Sequence, residues 1–252
     1  MFFLPYNVDV ATPRLPVANW VLIGLTVVLS TALLIEDSPY LDEPSERARL
    51  EESREGFGEQ GFSARGEEPP HALFDLLVLQ PGKYFRVTQV VGHLFAHADY
   101  VHLAGNMIFL FCFGNAVNAK FGHMRFVLLY LVVGVFNALV FLGMGVGGIG
   151  ASAAIWGLAG AFVVLYPKNV VEVWYFVIFD WGTTEISSLL LVGFYFAFEV
   201  LGLFVQPDLV MSHLGHVVGG CWGFAATVIL VKTGVVRSTE KEENLLEALH
   251  LD

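Results

Sequence analysis

The chain has 252 residues, of which 56% are hydrophobic and 15% charged, against roughly 45 to 50% apolar and about 25% charged in an ordinary soluble domain. Its 24 acidic and 13 basic side chains leave a net charge of −11, which argues against nucleic acid as a partner, because phosphates are neutralised by Lys and Arg. Cys112 and Cys221 lie in apolar runs without ligand spacing, so neither a disulfide framework nor a thiolate metal site is expected.

Residues 1–14 form an N-terminal segment with a single basic residue. Leu15 to Ile35 carries no charge and reaches the roughly 20 residues a spanning helix needs. It is read as a first transmembrane helix and not as a cleaved signal peptide. From Ser38 to Pro70 nine carboxylates and four arginines predict a long aqueous loop, helical in part around Ser45 to Arg54. Further spans are predicted near Val101 to Asn118, Arg125 to Met144, Ser152 to Tyr166, Ser187 to Val205 and Leu209 to Val231.

The expected architecture is therefore an all-α membrane protein, a six-helix bundle over residues 15–231 that includes the polar loop 38–70, with a polar tail at 232–252. Val170 to Phe179 is interrupted by Glu172 and too short to span, so it is expected at the bilayer interface with Trp174 and Trp181 as anchors. Lys120 and Arg125 follow the second span, Lys168 the fourth, and Lys232, Arg237 and Lys241 the sixth, whereas the other two short loops have no basic residue. Both termini are thus expected on the cytoplasmic side of a cell membrane. The basic residues of the long first loop do not weigh against this, because long loops translocate largely regardless of charge.

Polar side chains at membrane depth are costly and mark function. One cluster is His93, His97, His102 and Asn106, with His102 and Asn106 on one helical face. Ser152 opens the fourth span after a glycine run, and His216 in the sixth is followed by Gly219 and Gly223 along the same face. A serine hydroxyl needs a general base to become a nucleophile, and histidine serves near neutral pH. The two glycines remove side chains from the face of His216, which lets the sixth helix approach the fourth until imidazole and hydroxyl meet. His213 competes for that role, but only His216 has glycines at both positions. His102, Asn106 and the Ser152 backbone N–H are placed to donate to the oxyanion of an attacked carbonyl.

Together HADYVHLAGNM, GASAAIWG and HVVGGCWG, in this order, resemble the rhomboid family of intramembrane serine proteases, and PVANWVLIGL in the first helix is similar to bacterial members. The likeness runs from Pro13 to about Leu230. It implies a six-helix core, a Ser-His dyad without a required aspartate, and hydrolysis of peptide bonds in or beside transmembrane segments of other membrane proteins. Carried over residue by residue, it makes Ser152 the nucleophile, His216 the base, and His102 and Asn106 the oxyanion donors. Trp156 matches the aromatic position that packs against the catalytic imidazole. Three positions depart from the pattern: Ala153 stands where glycine is usual, Phe85 and Arg86 are the nearest match to a first-loop Trp-Arg pair, and Asn118 replaces a glutamate.

No metal or organic cofactor is implied, the lipid bilayer and transmembrane substrates are the expected partners, and the oligomeric state is left open. His97 is expected to tie the returning loop to the second span, and Glu199 to be a buried, protonated or paired acid. The Phe-rich fifth span, with Phe196 and Phe198, is the expected lateral gate. Two other readings stand beside the protease: a catalytically inactive scaffold that binds transmembrane clients, motivated by Ala153, and a metal transporter lined by His93 and His97.

Overall fold

The structure is a computed structural model and describes residues 2–41, 72–177, 180–238 and 242–251. The chain opens with strand β1 (Phe2–Val8), then helix α1 (Val17–Leu41). A short helix α2 (Ala72–Leu77) and three helical turns lead into α3 (Tyr100–Phe121), followed by α4 (His123–Gly143) and α5 (Ser152–Leu165). A hairpin of β2 (Val170–Val177) and β3 (Asp180–Ser187) precedes α6 (Ser188–Val205), α7 (Val210–Lys232) and a final turn α8 (Leu245–Ala248).

Among the described residues, five helices are long and apolar enough to cross a bilayer: Val17–Glu36, Tyr100–Phe121, His123–Gly143, Ser188–Val205 and Pro207–Lys232. The predicted spans agree with these to within three residues. The remaining predicted span is α5, which has only 14 residues. It sits at the centre, with Ala154, Leu158, Ala161 and Phe162 fully buried. A helix enclosed on all sides has no polar face to offer water, which is why it reads as uniformly apolar.

Small residues set how closely α5 and α7 approach. A Cβ on Gly219 would collide with the Ala153 carbonyl, one on Gly223 with the Gly157 carbonyl, and one on Gly160 with the Gly220 carbonyl. The expected glycine-thinned seam is therefore present, and it is two-sided. Elsewhere a π turn at Leu110–Gly114 frees a carbonyl from the regular ladder of α3. Asn19 of α1 satisfies it, donating from Nδ2 to Leu110 O at 2.8 Å and to Asn115 Oδ1 at 2.9 Å. Asn118, which replaces the family's glutamate, is fully buried and accepts the Asn19 backbone N–H at 3.2 Å. It fastens α1 to α3.

The all-α expectation needs correction, because β1, β2 and β3 form one antiparallel sheet in that order, with Pro5 opposite Val173 and Val173 opposite Thr184. Val171 and Val173 are fully buried, whereas Trp174 and Trp181 are exposed. The Glu172 that seemed to interrupt an apolar run lies on the other face from these valines and accepts from Asn7 Nδ2 at 2.8 Å. β-branched and aromatic residues in alternation favour a strand once an edge is available to pair with, and β1 supplies it. Both tryptophans are exposed, as interfacial anchors would be.

The end of the chain is also more ordered than a polar tail suggests. Asn244 and Glu247 form a reciprocal capping box, and Leu245 and Leu246 are buried. Lys120 pairs with Glu242, and Lys168 with Glu243 at 2.8 Å. The expected helix at Ser45 to Arg54, the loop from residue 42 to 70, Phe179, and Lys241 with its neighbour Glu240 lie outside the described residues.

Candidate active site

The N-terminus of α5 is held by its own approach loop. Leu79 and Gly148 exchange backbone hydrogen bonds of 3.0 Å each, and Gly150 N–H donates to His93 O at 2.9 Å. Gly150 has φ +115°, a conformation that suits glycine, and a Cβ there would lie 2.8 Å from His102 Cε1. Ser152 is thus presented as the first residue of α5, where a backbone N–H has no intrahelical acceptor.

Ser152 Oγ and His216 Nε2 are 2.8 Å apart. The imidazole stacks on Trp156, with ring centroids 5.9 Å apart and planes inclined by 27°. His213 is turned away from the serine: its Nδ1 is 2.6 Å from Glu199 Oε2 on α6, and its Nε2 is 2.8 Å from Gln206 Oε1. Of the two histidines weighed from the sequence, His216 is the one that meets Ser152.

Ser152, Trp156 and His216 line a cavity of about 530 Å³ that also includes His102, Asn106, Phe198 and Glu199. Asn106 is buried, and its Nδ2 has no hydrogen-bond partner. Buried amide donors are normally satisfied, so an unpaired one facing a cavity beside a serine marks a place for an acceptor atom. His102 begins α3, its backbone N–H bound by the Asp99 cap at 2.7 Å, and its ring lies edge-on to His97 at 4.9 Å.

His97 makes its hydrogen bond to α1 and not to the second span. Ser30 Oγ donates to Phe95 O at 2.9 Å, so its oxygen accepts from His97 Nδ1, also at 2.9 Å. Among the described residues, His97 reaches α3 through its ring contact with His102. Burial pushes His97 down to about 3 and His93 down to about 4, so both are neutral at pH 7. His93 Nδ1 lies 3.0 Å from Gln89 O, and among the described residues neither histidine belongs to a group of three potential metal ligands. Phe85 and Arg86 lie apart from the cavity, and Arg86 pairs with Asp75 at 3.0 Å.

Among the described residues, the group of three potential metal ligands is Glu199, His213 and His216. Their contacts, 2.6 and 2.9 Å, are hydrogen-bond distances. A tetrahedral zinc with bonds of about 2.0–2.1 Å would hold its ligand atoms roughly 3.3 Å apart. Glu199 is hydrogen-bonded to His213 and in close contact with His216. Sequence reasoning expected Glu199 to be a buried, protonated or paired acid but missed its contact with the histidine facing Ser152; its signal was an ionisable group in mid-span.

With that geometry in place, the comparisons with known proteins are direct. The family model for the Rhomboid domain matches residues 84–233, and the chain belongs to the rhomboid family. It is an integral membrane protein. It is similar to RHOMBOID-like protein 5 of Arabidopsis thaliana, 30% identical over 108 residues that cover 41% of this chain and 33% of that protein. It is also similar to the rhomboid protein YdcA of Bacillus subtilis (strain 168), 27% identical over 156 residues, or 60% of this chain and 69% of the relative. The match thus spans about a third of the plant relative's length.

Proposed function

We propose that the protein is an intramembrane serine endopeptidase that cleaves transmembrane or juxtamembrane peptide bonds of other membrane proteins. The observation that carries this reading is the 2.8 Å contact between Ser152 Oγ and His216 Nε2, on a chain whose family resemblance implies that chemistry. Ser152 attacks the substrate carbonyl while His216 Nε2 takes the hydroxyl proton. The tetrahedral oxyanion is held by Asn106 Nδ2, the Ser152 N–H and the His102 ring. His216 returns the proton to the departing amine, then deprotonates a water that hydrolyses the acyl-enzyme. Trp156 fixes the imidazole plane, and Gly219 and Gly223 keep α7 close enough for the proton to pass. No metal or organic cofactor enters the scheme.

In this reading the membrane domain is the six-helix core over residues 15–231, with α5 as a short sixth span whose N-terminus stays below the membrane surface. The cavity around Ser152 admits the water. Both termini are assigned to the cytoplasmic side of the cell membrane. In support, Lys120 and Lys168, from two short loops, pair with Glu242 and Glu243 of the chain's end. The segment at 232–252 then caps that side.

Ala153 motivates the inactive-scaffold alternative. Its methyl group is accommodated in the buried start of α5 without separating Ser152 from His216, which favours the enzyme. The test is reconstitution with a single-span substrate in proteoliposomes, with products mapped by mass spectrometry. Cleavage that is lost in both Ser152→Ala and His216→Ala supports the reading; cleavage that persists in Ser152→Ala overturns it.

A further inference from the structure

We propose that Glu199 is a positioning residue for His216, so that the hydrolytic unit is a Ser-His-Glu relay whose carboxylate comes from α6. The proposal deepens the serine-protease reading and rests on it. The resemblance implies a dyad that needs no carboxylate, and this chain supplies one in mid-membrane at the imidazole.

The two ring nitrogens of His216 face different partners. Nε2 is 2.8 Å from Ser152 Oγ, and Nδ1 is 2.9 Å from Glu199 Oε2. The second contact is close but not yet aligned as a hydrogen bond, and such contacts commonly tighten only once substrate is bound. A carboxylate at Nδ1 selects the tautomer with its proton there, which leaves Nε2 unprotonated to receive the serine proton. It also balances the imidazolium formed after that transfer.

Glu199 is itself fixed. Its Oε2 lies 2.6 Å from His213 Nδ1, whose other nitrogen is 2.8 Å from Gln206 Oε1. His213 therefore anchors the acid from one side while His216 meets it from the other. Both histidines sit on α7, one turn apart, and the glutamate reaches them from α6. The remaining titratable groups lining this cavity are Asp99 and His102, at the start of α3, and Tyr195 on α6.

The test compares wild type with Glu199→Gln, which keeps shape and removes the charge, and Glu199→Asp, which keeps the charge. Reconstituted wild type and variants are assayed for kcat and KM across pH, and the His216 nitrogens are followed by ¹⁵N NMR in ¹⁵N-histidine protein, assigned by their loss in His216→Asn. Glu199→Gln is expected to lower kcat on the order of 10²-fold with little change in KM, within the range of positioned acid–base catalysis. It is also expected to move the His216 ¹⁵N signals away from the form with its proton on Nδ1, with Glu199→Asp recovering part of both. Unchanged kcat in Glu199→Gln, or a fall in kcat with unmoved His216 ¹⁵N signals, overturns the proposal. The NMR arm does not need turnover: a wild type that cleaves nothing counts against the protease reading, while unmoved His216 ¹⁵N signals count against this one.

Discussion

Ser152 and His216 are 64 residues apart in sequence and 2.8 Å apart across the α5–α7 seam. The proximity is made by backbone contact: Gly219 faces the Ala153 carbonyl and Gly223 the Gly157 carbonyl, each with no room for a methyl group. Helices associate in lipid largely by such close packing, so the same glycines that stabilise the pair also set the reach of the imidazole.

Gly223→Ala must therefore push α7 away from α5. Overpacking of this kind costs typically about 1–3 kcal/mol, and the separation also lengthens the Ser152–His216 contact. Thermal unfolding in detergent should fall, with activity falling more than stability. Gly24→Ala, on α1 with open space around it, should leave both unharmed. Equal behaviour of the two variants would contradict the seam.

Asn106 presents a buried Nδ2 that has no hydrogen-bond partner among the described residues. Asn106→Ala should reduce kcat by about 10² to 10³, the usual loss for one oxyanion donor, with little effect on unfolding because no intramolecular bond from Nδ2 is lost. A large loss of stability with unchanged kcat would assign Asn106 to packing instead.

Acid should destabilise the fold through His97 and His93, which burial holds near 3 and 4, below the roughly 6.5 of an unfolded histidine. Between those values the unfolded chain binds protons that the folded chain does not, so stability rises with pH there. It is complete above about 6.5 and is lost as pH falls toward 4. The unfolding midpoint of His97→Asn should depend less on pH across that window than wild type does. An identical slope would mean that His97 is protonated in the folded protein.

Substrate access is expected through α6. Phe198 is exposed and lines the cavity, and Phe196 packs edge-on against Trp156 at 6.2 Å. Reducing either to Ala should speed cleavage of a bilayer-embedded substrate more than that of a detergent-soluble peptide. Unchanged membrane cleavage beside reduced peptide cleavage would place entry elsewhere.

Much of this was legible in the sequence because hydrocarbon imposes strong rules. Long uncharged runs gave the helices, and glycines following His216 singled it out over His213. What was missed depended on partners distant in sequence. The β2 run reads as an apolar segment until β1, more than 160 residues earlier, pairs with it. His97 meets Ser30 on α1, and Glu199 meets two histidines on α7; no local pattern encodes either contact. The ordered chain end had a visible cue, Asn244 three residues before Glu247, which only the ion pairs with Lys120 and Lys168 make meaningful.

The central claim is that Ser152 is a nucleophile activated by His216. The direct measurement is fluorophosphonate labelling of the purified, folded protein, with the modified residue located by mass spectrometry. Adduct on Ser152 is expected in wild type, none in Ser152→Ala, and a strongly reduced rate in His216→Ala with unfolding behaviour preserved. Label that persists in Ser152→Ala, or a folded wild type that takes no label, would contradict the claim.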